Sequence, residues 1–181
     1  MTKQSLQALR CPCCHRVALH ERLVQALNQL DRDFRSRFQI MSGYRCLAQN
    51  ATVHGHTISL HLFGLAVDLA PLDVTMPELV RAVLSIPQFA AGGFGWYPDR
   101  GIIHADVRTT PASWCKTNDR YGDLQVEWHN RYRLKPLPKV PATRPDHWLE
   151  DSAQPLPYSP DAPSATPTLP PTDADSPNGT M

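Results

Sequence analysis

Ser59-Leu-His-Leu-Phe-Gly-Leu-Ala-Val-Asp68 and, further along, Ile102-Ile-His-Ala-Asp-Val-Arg108 place two histidines and two carboxylates inside otherwise apolar runs. Polar side chains in such company cost free energy unless something compensates them, and a bound cation is one compensation. Extended backbone alternates its faces, so Leu65, Val67 and Leu69 point one way while Gly64, Ala66 and Asp68 point the other. On the second run Ile103, Ala105 and Val107 make a core face, and Ile102, His104, Asp106 and Arg108 share the opposite one. With His61 on the turn before Asp68, two imidazoles and one carboxylate can meet at one tetrahedral ion and leave its fourth position to water. That is the ligand count of a catalytic zinc. Taken singly, each residue has a plainer reading, a hydrogen-bonded strand histidine or an Asp that caps the next turn. Their coincidence on the small-residue faces of two strands favours the metal.

The rest of the chain bounds this reading. The 181 residues suffice for one domain with a sizeable core, and a formal charge of +1 without a basic stripe argues against nucleic acid. No run is long enough to insert in a membrane, and the first twenty residues hold no signal-type apolar stretch. The expectation is a monomer that is cytoplasmic as synthesised and reaches any target outside by phage-type release or another export route. Leu19, Leu23, Val24, Leu27, Leu30 and Phe34 predict an amphipathic helix over 18–34, and Phe38–Met41 a short strand. A helical turn is expected within 44–53. Thr75-Met-Pro-Glu predicts a capped helix over 76–84, with Pro87 ending it. Gly92–Asp99 is expected to be an irregular strand or loop whose backbone comes close to something else. Twelve of the eighteen prolines fall beyond Lys135, so burial there cannot offset ordering. Three regions follow: a Cys-rich segment, 1–16; a folded domain, 17–134; and a Pro-rich disordered tail, 135–181.

Five cysteines is an odd number, and Cys11, Cys13 and Cys14 are crowded. They do not resemble a secreted disulfide framework. With Cys46, and with His15 beside them, they are candidate ligands for a second, structural ion, but paired Cys-x-x-Cys halves are lacking. Small buried thiols in an N-terminal cap are the favoured reading.

Ser42-Gly-Tyr-Arg45, Asn50, Ser59-x-His61-x-x-Gly64-x-Ala66-x-Asp68, and Gly93-Phe-Gly-Trp-Tyr-Pro98 with His104-x-Asp106 follow one another in order. In this the chain, over about residues 6–115, resembles the zinc D-Ala-D-Ala carboxypeptidase-like peptidases, and within them the small, often phage-associated branch that includes endolysins. The resemblance implies an α+β fold of the hedgehog/DD-peptidase type, a small antiparallel sheet flanked by helices. It also implies one zinc held by His61, Asp68 and His104, and hydrolysis of D-amino-acid peptide bonds in bacterial peptidoglycan, by a carboxypeptidase or endopeptidase. Arg45 stands where such enzymes carry a substrate-handling arginine, and a guanidinium suits a terminal carboxylate or a developing oxyanion. Ser59, Tyr44 and Trp96 are further candidates for substrate contact. Many members carry a Glu or Asp general base three residues before the last zinc histidine, whereas here that position is Gly101. Asp106 is the first substitute, with a role in orienting a zinc histidine nearly as well supported, and Asp99 the second. His54 and His56 are read as exposed loop residues near the cleft. The alternative function is a non-catalytic, zinc-stabilised module that binds wall peptide or a protein partner.

Overall fold

A computed structural model describes residues 3–35, 37–118 and 120–132. The Pro-rich tail expected over 135–181 lies outside the described residues. In chain order the elements are α1 (Lys3–Ala8), α2 (Glu21–Phe34), β1 (Phe38–Ser42), α3 (Leu47–Thr52), a 3-10 turn at Leu60–Phe63, β2 (Ala66–Pro71), α4 (Met76–Leu84) and α5 (Pro87–Ala90). There follow β3 (Gly93–Tyr97), a 3-10 turn at Pro98–Arg100, β4 (Ile102–Asp106), β5 (Ala112–Thr117), β6 (Arg120–Gly122) and α6 (Leu124–Tyr132).

The periodic stripe of α2 becomes core: Leu23, Ala26, Leu27 and Leu30 are fully buried. Its first turn is capped by the His20 imidazole, which accepts from the Arg22 N–H. On α4 the capping box forms as the sequence predicts, with Thr75 Oγ1 accepting from the Glu78 N–H and Glu78 Oε2 accepting from the Thr75 N–H. Pro87 does not end this helix. The chain leaves it at Ser85, and Pro87 opens the separate short α5, where its missing N–H costs nothing.

Six strands form one sheet in the order β1-β2-β4-β3-β5-β6. Every pairing is antiparallel except β3 with β5, which run parallel. The architecture is thus the expected α+β, with a mixed rather than wholly antiparallel sheet. Gly93–Tyr97 is a regular inner strand, not an irregular segment, and alternation sends Phe94 and Trp96 into the core beside Val67, Leu69 and Ile103. Trp96 meets Trp128 of α6 edge-on, with centroids 5.1 Å apart. Leu9 and Leu124 join the same core, so the N-terminal segment and α6 both pack on the domain. Among the described residues no helix is long and apolar enough to cross a membrane.

Candidate metal centre

Strand register assembles the site. Ser42 lies opposite Asp68, Asp68 opposite His104, His104 opposite Gly95, and Gly95 opposite Trp114, a single row across five strands. Side chains in such a row share a face. Gly95 is required here, because a Cβ would sit inside the Trp114 indole. Its absence lets that ring lie 5.2 Å from the His104 ring, centroid to centroid. His61 reaches the row from the 3-10 turn Leu60–Phe63, which ends at Gly64.

Three ligand atoms converge. His61 Nε2 lies 3.2 Å from Asp68 Oδ1 and 3.2 Å from His104 Nδ1, and His104 Nδ1 lies 3.1 Å from Asp68 Oδ1. Zinc bonds of 2.0–2.1 Å in a tetrahedron imply ligand–ligand edges of about 3.3–3.4 Å, so this near-equilateral triangle fits one face of such a polyhedron.

The far side of each ring fixes its tautomer. His61 Nδ1 donates to the Gly43 carbonyl at 2.7 Å, and His104 Nε2 donates to Asp106 Oδ2 at 3.1 Å. In neutral rings the inward nitrogens therefore carry lone pairs, and two lone pairs and a carboxylate oxygen face one another around a buried point. A cation at that point would satisfy all three.

Titration of these side chains turns on burial set against the attraction between an imidazolium and a carboxylate. Burial opposes charge at His61 and lowers its pKa. At His104 burial also opposes charge, but the Asp106 and Asp68 carboxylates outweigh it and the pKa rises. Burial would push Asp68 up, yet the two imidazoles hold it far below the usual carboxylate range.

The candidate bases fall elsewhere. Asp106 has 0 % exposure and stands behind His104, on the side away from Asp68 and His61. Its Oδ1 accepts from the N–H groups of Gly93 and Arg108 and from Arg108 Nε, and its Oδ2 from Arg108 Nη2 and His104. Five donors and no exposure suit it to orienting His104 rather than to accepting a proton. Asp99 Oδ2 accepts from the Asn118 N–H at 2.7 Å, bracing the β5–β6 turn, and Asp99 is not among the residues lining the cleft. Gly101 has φ 63°, and a Cβ there would meet nothing within 4 Å.

Above the triangle opens a cleft of about 470 Å³, lined in part by Arg45, His54, His56, Ser59, Tyr97 and Trp114. Arg45 and Ser59 therefore line the cleft. Trp96 does not, because it is buried in the core, and Tyr44 does not line the cleft; its N–H donates to the Leu9 carbonyl. The aromatic rings that do line the cleft are Tyr97, Trp114 and Tyr121, the first two joined by a bond from Trp114 Nε1 to the Tyr97 hydroxyl at 3.0 Å. Burial pushes the Tyr97 phenol up to about 12, so it is neutral across any ordinary pH. Trp114 escaped the sequence reading, although the small Gly95 was a signal that a bulky neighbour crosses β3. The loop carrying His54 and His56 is tied down by Asn50, whose Nδ2 donates to the His56 carbonyl at 2.8 Å. Among the described residues Arg45, Arg100, Lys116 and Arg108, the last ion-paired with Asp106, line the cleft, and Asp68 is the one lining carboxylate. The Nε of Arg45 is buried without a hydrogen-bond partner among the described residues, and burial lowers the guanidinium's pKa against the pull of Asp68.

A mixed sheet bearing a His–Asp–His triangle on its cleft face defines an α+β protein with a group that could hold a metal ion. The chain belongs to the Peptidase M15 family, whose family model matches residues 3–106, both histidine segments included. It is therefore a member of a zinc-dependent class of metallopeptidases, and the triangle fits the ion that class uses. Neither a curated protein nor a solved structure matches the chain.

Proposed function

We propose that the protein hydrolyses peptide bonds in the stem peptides of bacterial peptidoglycan, at a terminal D-Ala-D-Ala linkage or an internal cross-link, after reaching the wall by phage-type release or another export route. The observation that carries this is Arg45: a guanidinium in a cationic cleft over a metal triangle, with a buried Nε that has no partner among the described residues. A peptide carboxylate is the complement of such a group, which can grip it at two points. His61, Asp68 and His104 would hold a zinc ion, which would supply Lewis-acid polarisation and an acidified water. The chain's own residues do the rest. Arg45 anchors the peptide, Tyr97 and Trp114 wall the cleft, the neutral Tyr97 phenol is a hydrogen-bond donor, and Asp106 with Arg108 holds His104 in its working tautomer. No carboxylate except Asp68 lines the cleft among the described residues, so His54 and His56 are the lining groups suited to take a proton.

That shortage of carboxylates, with Gly101 in the customary base position, favours a second reading, a zinc-stabilised module that binds wall peptide without cutting it. Incubation of the full chain with purified peptidoglycan decides between them. Hydrolysis predicts released D-Ala or new amino termini, lost in the His54→Ala/His56→Ala double variant; Arg45→Lys then raises KM more than it lowers kcat. Peptidoglycan retention without any new terminus establishes the binding module instead.

A further inference from the structure

The N-terminal cysteines, expected to be capping thiols, form a second constellation that the peptidase reading does not use. Cys11, Cys14 and Cys46 bring their sulfurs within 4.8 Å of one another, although Cys46 is far off in sequence. Cys11 Sγ is 3.6 Å from Cys46 Sγ, and Cys46 Sγ is 3.7 Å from Cys13 Sγ. None of the four lines the cleft. We propose that Cys11, Cys14 and Cys46, with Cys13 beside Cys46 as the candidate fourth ligand, hold a structural zinc ion distinct from the one at His61, Asp68 and His104.

Three observations carry this. First, zinc–sulfur bonds of about 2.3 Å imply sulfur–sulfur edges of about 3.8 Å in a tetrahedron, close to the two shortest spacings here, whereas a disulfide needs about 2.05 Å and uses only two sulfurs.

Second, backbone donors point at the sulfurs as they do at thiolates. The Cys46 N–H donates to Cys11 Sγ at 3.4 Å and the Gln49 N–H to Cys46 Sγ at 3.5 Å.

Third, the chain is folded to present these groups. Cys11 donates its N–H to the Arg16 carbonyl and accepts from the His15 N–H, both at 2.9 Å, and His15 adopts φ 57° to close the loop. Cysteines three apart, Cys11 and Cys14, are thereby turned to the same side. Thiolate clusters select zinc over hard cations.

The position gives the ion a task. Cys46 caps α3 and directly follows Arg45, whose N–H donates to the His61 carbonyl. Tyr44 donates to Leu9, and Gly43 supplies the carbonyl that fixes the His61 tautomer. A zinc cross-link between residues 11–14 and residue 46 therefore braces the strip of chain that orients one catalytic-centre ligand and carries the substrate arginine.

The test is metal analysis of the full chain purified under reducing conditions. Wild type is expected to carry two zinc ions and His104→Ala one. Loading His104→Ala with cobalt should give thiolate-to-cobalt charge-transfer absorption, and that band should vanish in His104→Ala/Cys14→Ser. A zinc-free His104→Ala chain, a cobalt spectrum without a thiolate band, iron in place of zinc, or a Cys11–Cys46 disulfide in the reduced-purified protein would each overturn the proposal. Because wild type and His104→Ala both keep the four cysteines, a cysteine variant that fails to fold leaves the test intact.

Discussion

Replacing Asp106 with Asn separates its two possible roles, because the substitution removes charge and one acceptor while keeping shape. In the wild type Oδ1 collects three donors and Oδ2 two. An Asn oxygen does best at the three-donor position, which turns its NH₂ toward His104 Nε2. That nitrogen must then accept rather than donate, and the ring proton moves to Nδ1, the atom that faces Asp68 and His61. Loss of a carboxylate that orients a metal histidine costs 10–100-fold in affinity, or about 1.4–2.8 kcal/mol. Arg108 also loses the charge that its Nη2 and Nε bind, and breaking a buried pair costs about 3–5 kcal/mol of fold stability. Competition with a chromogenic zinc chelator, wild type against Asp106→Asn at equal loading, reads the first effect, since the thiol cluster is common to both chains and cancels. Urea denaturation reads the second. An unchanged zinc affinity with turnover abolished would refute the positioning role and return Asp106 to the role of base.

Gly95→Ala places a methyl group inside the Trp114 indole. The ring must leave His104, so stability should fall by about 1–3 kcal/mol in denaturant titration, with weakened zinc binding. Tyr97 gives a pH prediction. Its phenol is held at about 12 against an ordinary value of 10, so the folded state keeps its proton longer than the unfolded chain does. The resulting stabilisation is fully present below pH 10 and is lost as pH rises toward 12. The difference in melting temperature between wild type and Tyr97→Phe should therefore shrink across that interval, and a constant difference would show that the phenol is not perturbed.

The centre was legible because it obeys local rules. Alternation in residues 64–69 and 102–108 assigns Asp68 and His104 to one face, and the sheet register then sets them opposite each other. The same alternation, applied to Gly-Phe-Gly-Trp-Tyr, separates Trp96 in the core from Tyr97 in the cleft; reading that stretch as irregular is what misplaced Trp96. Other features depend on contacts between distant segments, which no local pattern encodes. Residue spacing leaves Asp106 open between base and orienting group, and only its contacts with Gly93 and Arg108, which saturate it, favour the second. Trp114 reaches the site through a parallel pairing of β3 and β5, and Cys46 meets Cys11 through the packing of the N-terminal segment against the end of β1.

Native mass spectrometry of His61→Ala beside wild type shows whether His61, Asp68 and His104 form a metal centre. The variant is expected to carry one zinc ion fewer than wild type while its remaining metal is unchanged. Equal zinc content in the two proteins would contradict that centre.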